Sequence, residues 1–212
     1  MSSTRPTAAQ AVSAPLESSV ECCSNPLTFQ ALNLKICKYG DPVLREKAEP
    51  IAVVTDALRA LAADMIETMH RAKGVGLAAE QVGRTEKLCV IDIPEGCETE
   101  EDEAFNAPIQ MPLVLFNAEI ISQEGSQRDK EGCLSFPGVG GSITRAAQVT
   151  CQYLDESNMP QIITARGFLA RAIQHELDHL NGVLYVDHMS AVERLTYAAK
   201  LKKLAKSNGG VR

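Results

Sequence analysis

The amino-acid sequence predicts an α+β fold, with a mixed or antiparallel sheet around a central helix and a further helix near the C-terminus. The main observation is the order of the patterns: helical periodicity comes first, then several strand-like runs, then two more helical stretches. Strands that are not regularly interleaved with helices argue against a parallel α/β sheet. The 212 residues are 45% hydrophobic and contain no repeat, which indicates one core.

The first predicted element is a helix that begins after Thr55, a plausible N-cap, and ends at Gly74. Its apolar residues recur at helical spacing, so one face is expected in the core. Short apolar runs then predict strands at residues 88–93, 113–116 with 120–121, 149–154 and 162–164. The acidic segment 95–103 between the first two runs is predicted to be a solvated loop.

Two helices complete the predicted fold. The first of them spans residues 168–180 and ends at Asn181-Gly182, a typical helix stop. The second opens with the capping box Ser190-Ala-Val-Glu193 and continues as one helix to Leu204. We expect a flexible leader over residues 1–33, a single domain over 34–206 and a flexible tail over 207–212.

Charge and cysteine content exclude several classes of protein. The net charge of −6 and a pI near 5.3 give no general attraction to DNA. The seven cysteines form no Cys-x-x-Cys pair, which argues against a disulfide framework and favours a reducing compartment. No run is long and apolar enough to predict a membrane span or a signal peptide. We therefore expect a cytoplasmic protein.

The stretch QHELDHLNG contains the pattern H-E-x-x-H on the predicted central helix. His175 and His179 stand at i and i+4, so both imidazoles can reach one ion, and Glu176 lies beside the first of them. A metal in such a site acidifies a water molecule, and the carboxylate takes its proton. The alternative is a half-buried helix whose two histidines serve only packing.

A catalytic metal usually has three protein ligands, and the sequence offers several candidates for the third. Glu193 would suit a zinc endopeptidase, but its position already explains it as a helix cap. His188 lacks the glycine-containing spacer that is typical of another protease group. Cys133, in the glycine-flanked segment EGCLS, would complete a set of one sulfur and two nitrogens.

Three motifs, GVGLAAEQ, EGCLS and QHELDHLNG, together resemble the signature motifs of peptide deformylases. The resemblance runs from about Lys35 to Leu204 and includes the early segment Gly40-Asp-Pro-Val-Leu44. It implies that residues 34–206 form one catalytic metallohydrolase domain that removes the formyl group from the N-terminal formylmethionine of nascent polypeptides. The implied roles are metal ligation by Cys133, His175 and His179, acid/base catalysis by Glu176, and oxyanion binding by the Gln81 amide and the Leu134 backbone N–H.

The resemblance also implies a cofactor and a substrate pocket. The metal would be Fe(II), with Zn(II), Ni(II) or Co(II) as substitutes, since mixed thiolate and imidazole ligands suit several first-row metals. The implied pocket residues are Val75, Phe168 and Ala172 as apolar walls, Gly76 as a backbone partner of an extended peptide, and Arg145 behind the ligands. For Val75, Phe168 and Ala172, plain core packing is an equally good interpretation.

Two features of the sequence leave the peptide preference open. Relatives often carry an arginine shortly after EGCLS, where this chain has Gly138-Val-Gly-Gly141, and Arg128-Asp-Lys130 before Glu131 is unusually charged for an apolar pocket. The resemblance also implies that the basic C-terminal residues are a candidate contact with ribosomal RNA, although a solvated helix face explains them as well. They are Lys200, Lys202, Lys203, Lys206 and Arg212.

Overall fold

The computed structural model describes residues 33–208. Within this range, no helix is both long and apolar enough to cross a bilayer. The predicted leader lies outside the described residues except for Asn33, and so does the tail beyond Asn208. Residues 207 and 208, assigned to the tail, belong instead to the last helix.

The chain forms five α-helices and seven β-strands within the described residues. The helices are α1 (Asp56–Arg71), α2 (Glu100–Asn106), α3 (Gly167–Leu180), α4 (Ala191–Thr196) and α5 (Ala198–Asn208). The strands are β1 (Gly76–Ala78), β2 (Leu88–Ile91), β3 (Leu113–Glu124), β4 (Gln127–Gly132), β5 (Gly140–Arg145), β6 (Gln148–Leu154) and β7 (Pro160–Arg166).

The sheet confirms the predicted α+β class. Five strands lie in the order β1-β2-β3-β6-β7, β4 and β5 form a separate hairpin, and all neighbouring strands pair antiparallel. Side chains of a strand alternate between the two faces of a sheet. On β2, Cys89 and Ile91 pack in the cluster of α3, whereas Leu88 and Val90 pack in the cluster of α1. Helices thus cover both faces at β2, which explains its uninterrupted apolar sequence.

A third hydrophobic cluster joins the hairpin to the C-terminal helices. Phe136 and Ile143 from the hairpin region pack with Tyr185, which meets the Phe136 ring edge-on at a centroid distance of 5.1 Å. Leu201 of α5 belongs to the same cluster. The hairpin itself was not predicted, because its first strand reads QRDKEG and has no apolar alternation.

The prediction of one continuous C-terminal helix is wrong. The Ser190 capping box does start α4, but this helix ends at Thr196, Tyr197 is its C-cap, and α5 begins at Ala198. No residue of α4 is buried, and Leu195 is 76% exposed. Helix α4 contacts the hairpin through Glu193, whereas α5 contributes the buried Leu201. The break lets the chain turn so that this leucine reaches the third cluster.

The acidic segment also differs from its prediction as a solvated loop. Its end forms α2, and its Glu98 carboxylate accepts hydrogen bonds from the backbone N–H of Leu169 (3.0 Å) and from the side-chain amide of Asn106 (2.9 Å). Asn106 in turn bonds the backbone N–H and C=O of Arg166. The N-cap residue Arg166 offers α3 no side-chain cap. Glu98 therefore caps α3 from a distant part of the sequence.

We predict that Glu98→Ala lowers the free energy of unfolding by about 1 to 2 kcal/mol, because α3 loses its cap. Glu98→Gln should retain most of the stability, since an amide oxygen still accepts from Leu169. Urea unfolding followed by circular dichroism measures both. Glu95→Ala, at an exposed position of the same segment, is the control. Equal stabilities of the Glu95 and Glu98 alanine variants would contradict the capping role.

Candidate metal centre and active site

Helix α3 and the segment after β4 bring together the predicted metal-binding residues. His175 and His179 are buried on α3, and Cys133 is half-buried just beyond β4. One ligand atom from each of these residues lies within 4.8 Å of the other two. The Cys133 Sγ and the His179 Nε2 are 3.3 Å apart. Ligands of one tetrahedral ion are separated by roughly 3.5 Å, so the three residues fit a single metal.

The other candidates for the third ligand lie elsewhere. The Glu193 carboxylate accepts from the backbone N–H of Ser142 (2.9 Å) and interacts with Ser190 in the predicted capping box. His188 lies 2.8 Å from Asp178 and its side chain is 39% exposed. Neither belongs to the cluster of potential ligands within residues 33–208.

A buried carboxylate behind the ligands orients His175. The Nδ1 atom of His175 lies 3.0 Å from Glu131, so its Nε2 is directed to the ligand cluster. Arg145 binds Glu131 with two hydrogen bonds of 2.9 and 3.0 Å, and Arg171 adds one of 2.7 Å. Burial raises the pKa of Glu131, but its hydrogen bonds with His175 and Arg145 outweigh burial and hold the pKa well below its usual range.

The two imidazoles differ in their electrostatic surroundings. Burial and the neighbouring His175 lower the pKa of His179, so this ring is neutral, as a metal ligand must be. Burial also lowers the pKa of His175, but its hydrogen bonds to Cys133 and Glu131 raise it overall. The groups around His175 thus stabilise a positive charge at this position. A divalent cation bound between the ligands would place a positive charge there.

Glu176 lies beside the ligands and has a free oxygen. The residue is 4% exposed, and its Oε2 has no hydrogen-bond partner within the described part of the chain. Burial raises the pKa of Glu176 to about 7. A Cβ atom at Gly76 would collide with this carboxylate, so β1 approaches α3 closely only because glycine stands there. The absence of a side chain at Gly76 thus makes room for the Glu176 carboxylate.

Gln81 directs its amide nitrogen to the cysteine segment. The Oε1 of Gln81 accepts from the backbone N–H of Ala78 (2.8 Å), which leaves the Nε2 facing the Cys133 Sγ (3.3 Å) and the Ser135 hydroxyl (3.2 Å). The amide donors of Gln81 are thus held at the site by a backbone group on the opposite side.

An N-terminal segment that the sequence analysis did not single out braces these groups. The backbone N–H of Cys37 donates to the Gln81 carbonyl (2.7 Å), and that of Tyr39 donates to the Ser135 carbonyl (2.9 Å). Between them, the Lys38 ammonium donates to the Leu134 carbonyl (2.7 Å). The segment ties Gln81 and the cysteine segment to each other.

A cavity of about 410 Å³ opens at this cluster. Val75, Gly76, Phe168 and Ala172, the residues predicted to contact substrate, all line it, together with Gln81, Cys133, Leu134, His175 and Glu176. The first turns of α3 thus form one wall, and the segment around β1 forms another.

This fold and this site define the class of the protein: it is a metal-dependent hydrolase. The polypeptide deformylase family model matches residues 33–195. A peptide deformylase of Endomicrobium trichonymphae is 41% identical over 82% of this chain and 96% of the relative, and one of Halothermothrix orenii is 46% identical over 73% and 92%. The crystal structure of peptide deformylase from Ehrlichia chaffeensis has a TM-score of 0.73 and 35% identity over 85% of this chain and 100% of that chain. The chain belongs to the peptide deformylase family.

A second acidic residue, Glu80, is buried next to Gln81. It is 0% exposed, and neither carboxylate oxygen has a hydrogen-bond partner within residues 33–208. Burial, with smaller contributions from the negative charges of Glu176, Glu86 and Glu46, raises its pKa to about 8. Glu80 is therefore uncharged at neutral pH.

The buried Glu80 predicts a specific pH dependence of stability. Its pKa rises from an ordinary value of 4.5 to about 8 on folding, so the folded state binds the extra proton and stability falls as pH rises through this window. Relative to Glu80→Gln, whose amide cannot ionise, the wild type should lose about 2 to 4 kcal/mol of unfolding free energy between pH 5 and pH 8.5. Denaturant unfolding of both proteins at the two pH values measures this difference. Parallel pH profiles would show that Glu80 is charged or solvated when folded.

Proposed function

We propose that this protein removes the formyl group from the N-terminal formylmethionine of nascent polypeptides and releases formate. The observation that carries the proposal is the convergence of Cys133, His175, Glu176 and Gln81 on one cavity. The third potential ligand, His179, lies 3.3 Å from the Cys133 Sγ. Family membership supports the same reaction.

In this proposal Cys133, His175 and His179 hold one divalent ion, which is Fe(II), with Zn(II), Ni(II) or Co(II) able to replace it. The bound ion would lower the pKa of a water molecule and polarise the formyl carbonyl. Glu176 serves as the acid/base group: its free Oε2 takes the proton of the attacking water and later returns it to the leaving amine. A pKa near neutrality suits both transfers.

The negative charge that develops on the formyl oxygen would be received by two donors. One is the amide nitrogen of Gln81, whose direction is fixed by the backbone N–H of Ala78. The other is the backbone N–H of Leu134, which follows the cysteine ligand in the chain. Donors that are held in place before the reaction need no reorganisation when charge appears.

The cavity also suits the rest of the substrate. Val75, Phe168 and Ala172 would surround the methionine side chain. Strand β1 is at one end of the sheet, so the backbone of Gly76 can pair with an extended peptide. Arg145 would act indirectly, by holding the carboxylate that orients His175.

The first test is metal content and formate release in the same anaerobic preparation. Wild type should hold about one metal per chain and release formate from a formylmethionyl tripeptide. Cys133→Ala should lose both, whereas Glu176→Gln should keep the metal and lose the activity.

Bound metal without formate release would instead favour the alternative function, a zinc endopeptidase. That alternative needs Glu193 as a ligand, but the Glu193 carboxylate binds Ser142 and Ser190. In that case Glu193→Gln, not Cys133→Ala, would lose the metal.

Gln81→Ala should lower kcat about 100-fold to 1000-fold, because the reaction loses one oxyanion donor. The metal content should remain, since Gln81 is not a ligand. Steady-state kinetics with metal analysis checks this. A variant that keeps full kcat would remove Gln81 from the oxyanion site.

We further propose that the protein acts in the cytoplasm and contacts ribosomal RNA through α5. Lys202, Lys203 and Lys206 are basic residues of this helix, whereas the Lys200 ammonium donates to the Gly138 carbonyl (2.7 Å). Ribosome pelleting should show binding at low salt that weakens at high salt. Absence of the protein from the pellet at low salt would end this proposal.

A further inference from the structure

The wall of the active-site cavity carries three cationic side chains: Lys73, Lys130 and Arg171. Arg171 is buried and paired with Glu131 at 2.7 Å. The two lysines are exposed residues, and within residues 33–208 neither ammonium has a hydrogen bond or a carboxylate partner. Both positive charges are therefore available to a ligand that enters the cavity.

The backbone fixes where Lys73 stands. It follows α1 with a φ of 57°, in the left-handed region that is unfavourable for a residue other than glycine. Hydrogen bonds from the N–H of Lys73 to His70 (2.9 Å) and from that of Gly74 to Met69 (3.0 Å) hold this turn. Glycine would form the turn with less strain, so the turn itself does not explain a lysine there.

Lys130 is held by β4, where it pairs with Ser142 of β5. The neighbouring Asp129 does not neutralise it, because its carboxylate accepts from the backbone N–H of Lys130 (2.7 Å) and forms no ion pair with the ammonium. Lys130 thus presents its charge from the hairpin wall, and Lys73 presents its charge from the wall that leads into β1.

The acidic residues that line the cavity do not cancel these two charges. Glu131 is already engaged by Arg145, Arg171 and His175. Glu176 is 4% exposed, so its carboxylate contributes little to the accessible surface of the cavity. The accessible part of the wall is therefore positive, although the whole chain has a net charge of −6.

We propose that Lys73 and Lys130 make this cavity prefer formylated peptides with an acidic side chain after the methionine. The inference rests on the proposed deformylase function and adds a substrate preference to it. An extended peptide that enters between the walls would bring its next side chains past the two ammonium groups. Their attraction to a carboxylate acts on substrate capture and is screened by salt.

The test compares formate release from formyl-Met-Glu-Ala-amide, formyl-Met-Gln-Ala-amide and the corresponding pair with Glu or Gln in the third position. Amidated ends remove the terminal carboxylate, which would otherwise imitate an acidic side chain. At low salt we expect kcat/KM for at least one Glu peptide to exceed that of its Gln partner about 2-fold to 10-fold, the modest effect expected of solvent-exposed ion pairs. The ratio should approach one in 0.5 M salt.

Variants assign the preference to the two lysines. Lys73→Gln and Lys130→Gln should each lower the Glu/Gln ratio, the double variant should bring it close to one, and arginine at either position should preserve it. Lys47→Gln, an exposed charge outside the cavity, should leave the ratio unchanged.

The possible failures are distinguishable. Formate release from all four peptides with equal kcat/KM would overturn the substrate preference and leave the deformylase function standing. A Glu/Gln ratio that survives in the double variant would place the preference on other residues. Release from none of the peptides by metal-loaded protein would overturn the proposed function and this inference together.

Discussion

The site depends on one buried ion network centred on Glu131. A carboxylate in the interior is stable only when charged or hydrogen-bonded groups compensate its lost hydration. Here Arg145 comes from β5, and Arg171 and His175 come from α3. Glu131 itself lies on β4, two residues before Cys133 in the chain. The same contacts that neutralise one charge therefore hold the hairpin, the cysteine segment and the histidine helix at a fixed separation.

A second constraint is the location of the polar atoms that the protein leaves unpaired. Within the described residues, the buried side-chain atoms without partners belong to Glu80, Arg171, Glu176 and His179. All four residues lie in α3 or in the short turn that contains Gln81. Buried polar groups are normally satisfied, so their concentration in one region indicates function more than stability. Helix α3 thus serves both the fold and the site: one face packs against the sheet, and another lines the cavity.

The sequence predicted the parts of this arrangement that depend on local pattern. Helical periodicity and the i, i+4 spacing are local, so α3 and its two histidines could be placed, and Cys133 could be proposed from its glycine-flanked setting. Glu98 could not, because it caps a helix about 70 residues further along the chain, at Leu169. Lys38 and Glu131 act through similarly distant partners. The hairpin was missed because its charged first strand buries Glu131 by ion pairing and shows no apolar pattern.

The short length of strand β1, at one edge of the sheet, affects whether two copies of this protein can pair through their sheets. An open sheet edge is a template for pairing with another chain and can start aggregation. This edge is only three residues long, begins with a glycine and is buried throughout. A rigid second molecule would find too few backbone groups to pair with, whereas a thin, extended chain end can still reach them. The brevity of β1 thus disfavours pairing between two copies of the chain along this edge of the sheet.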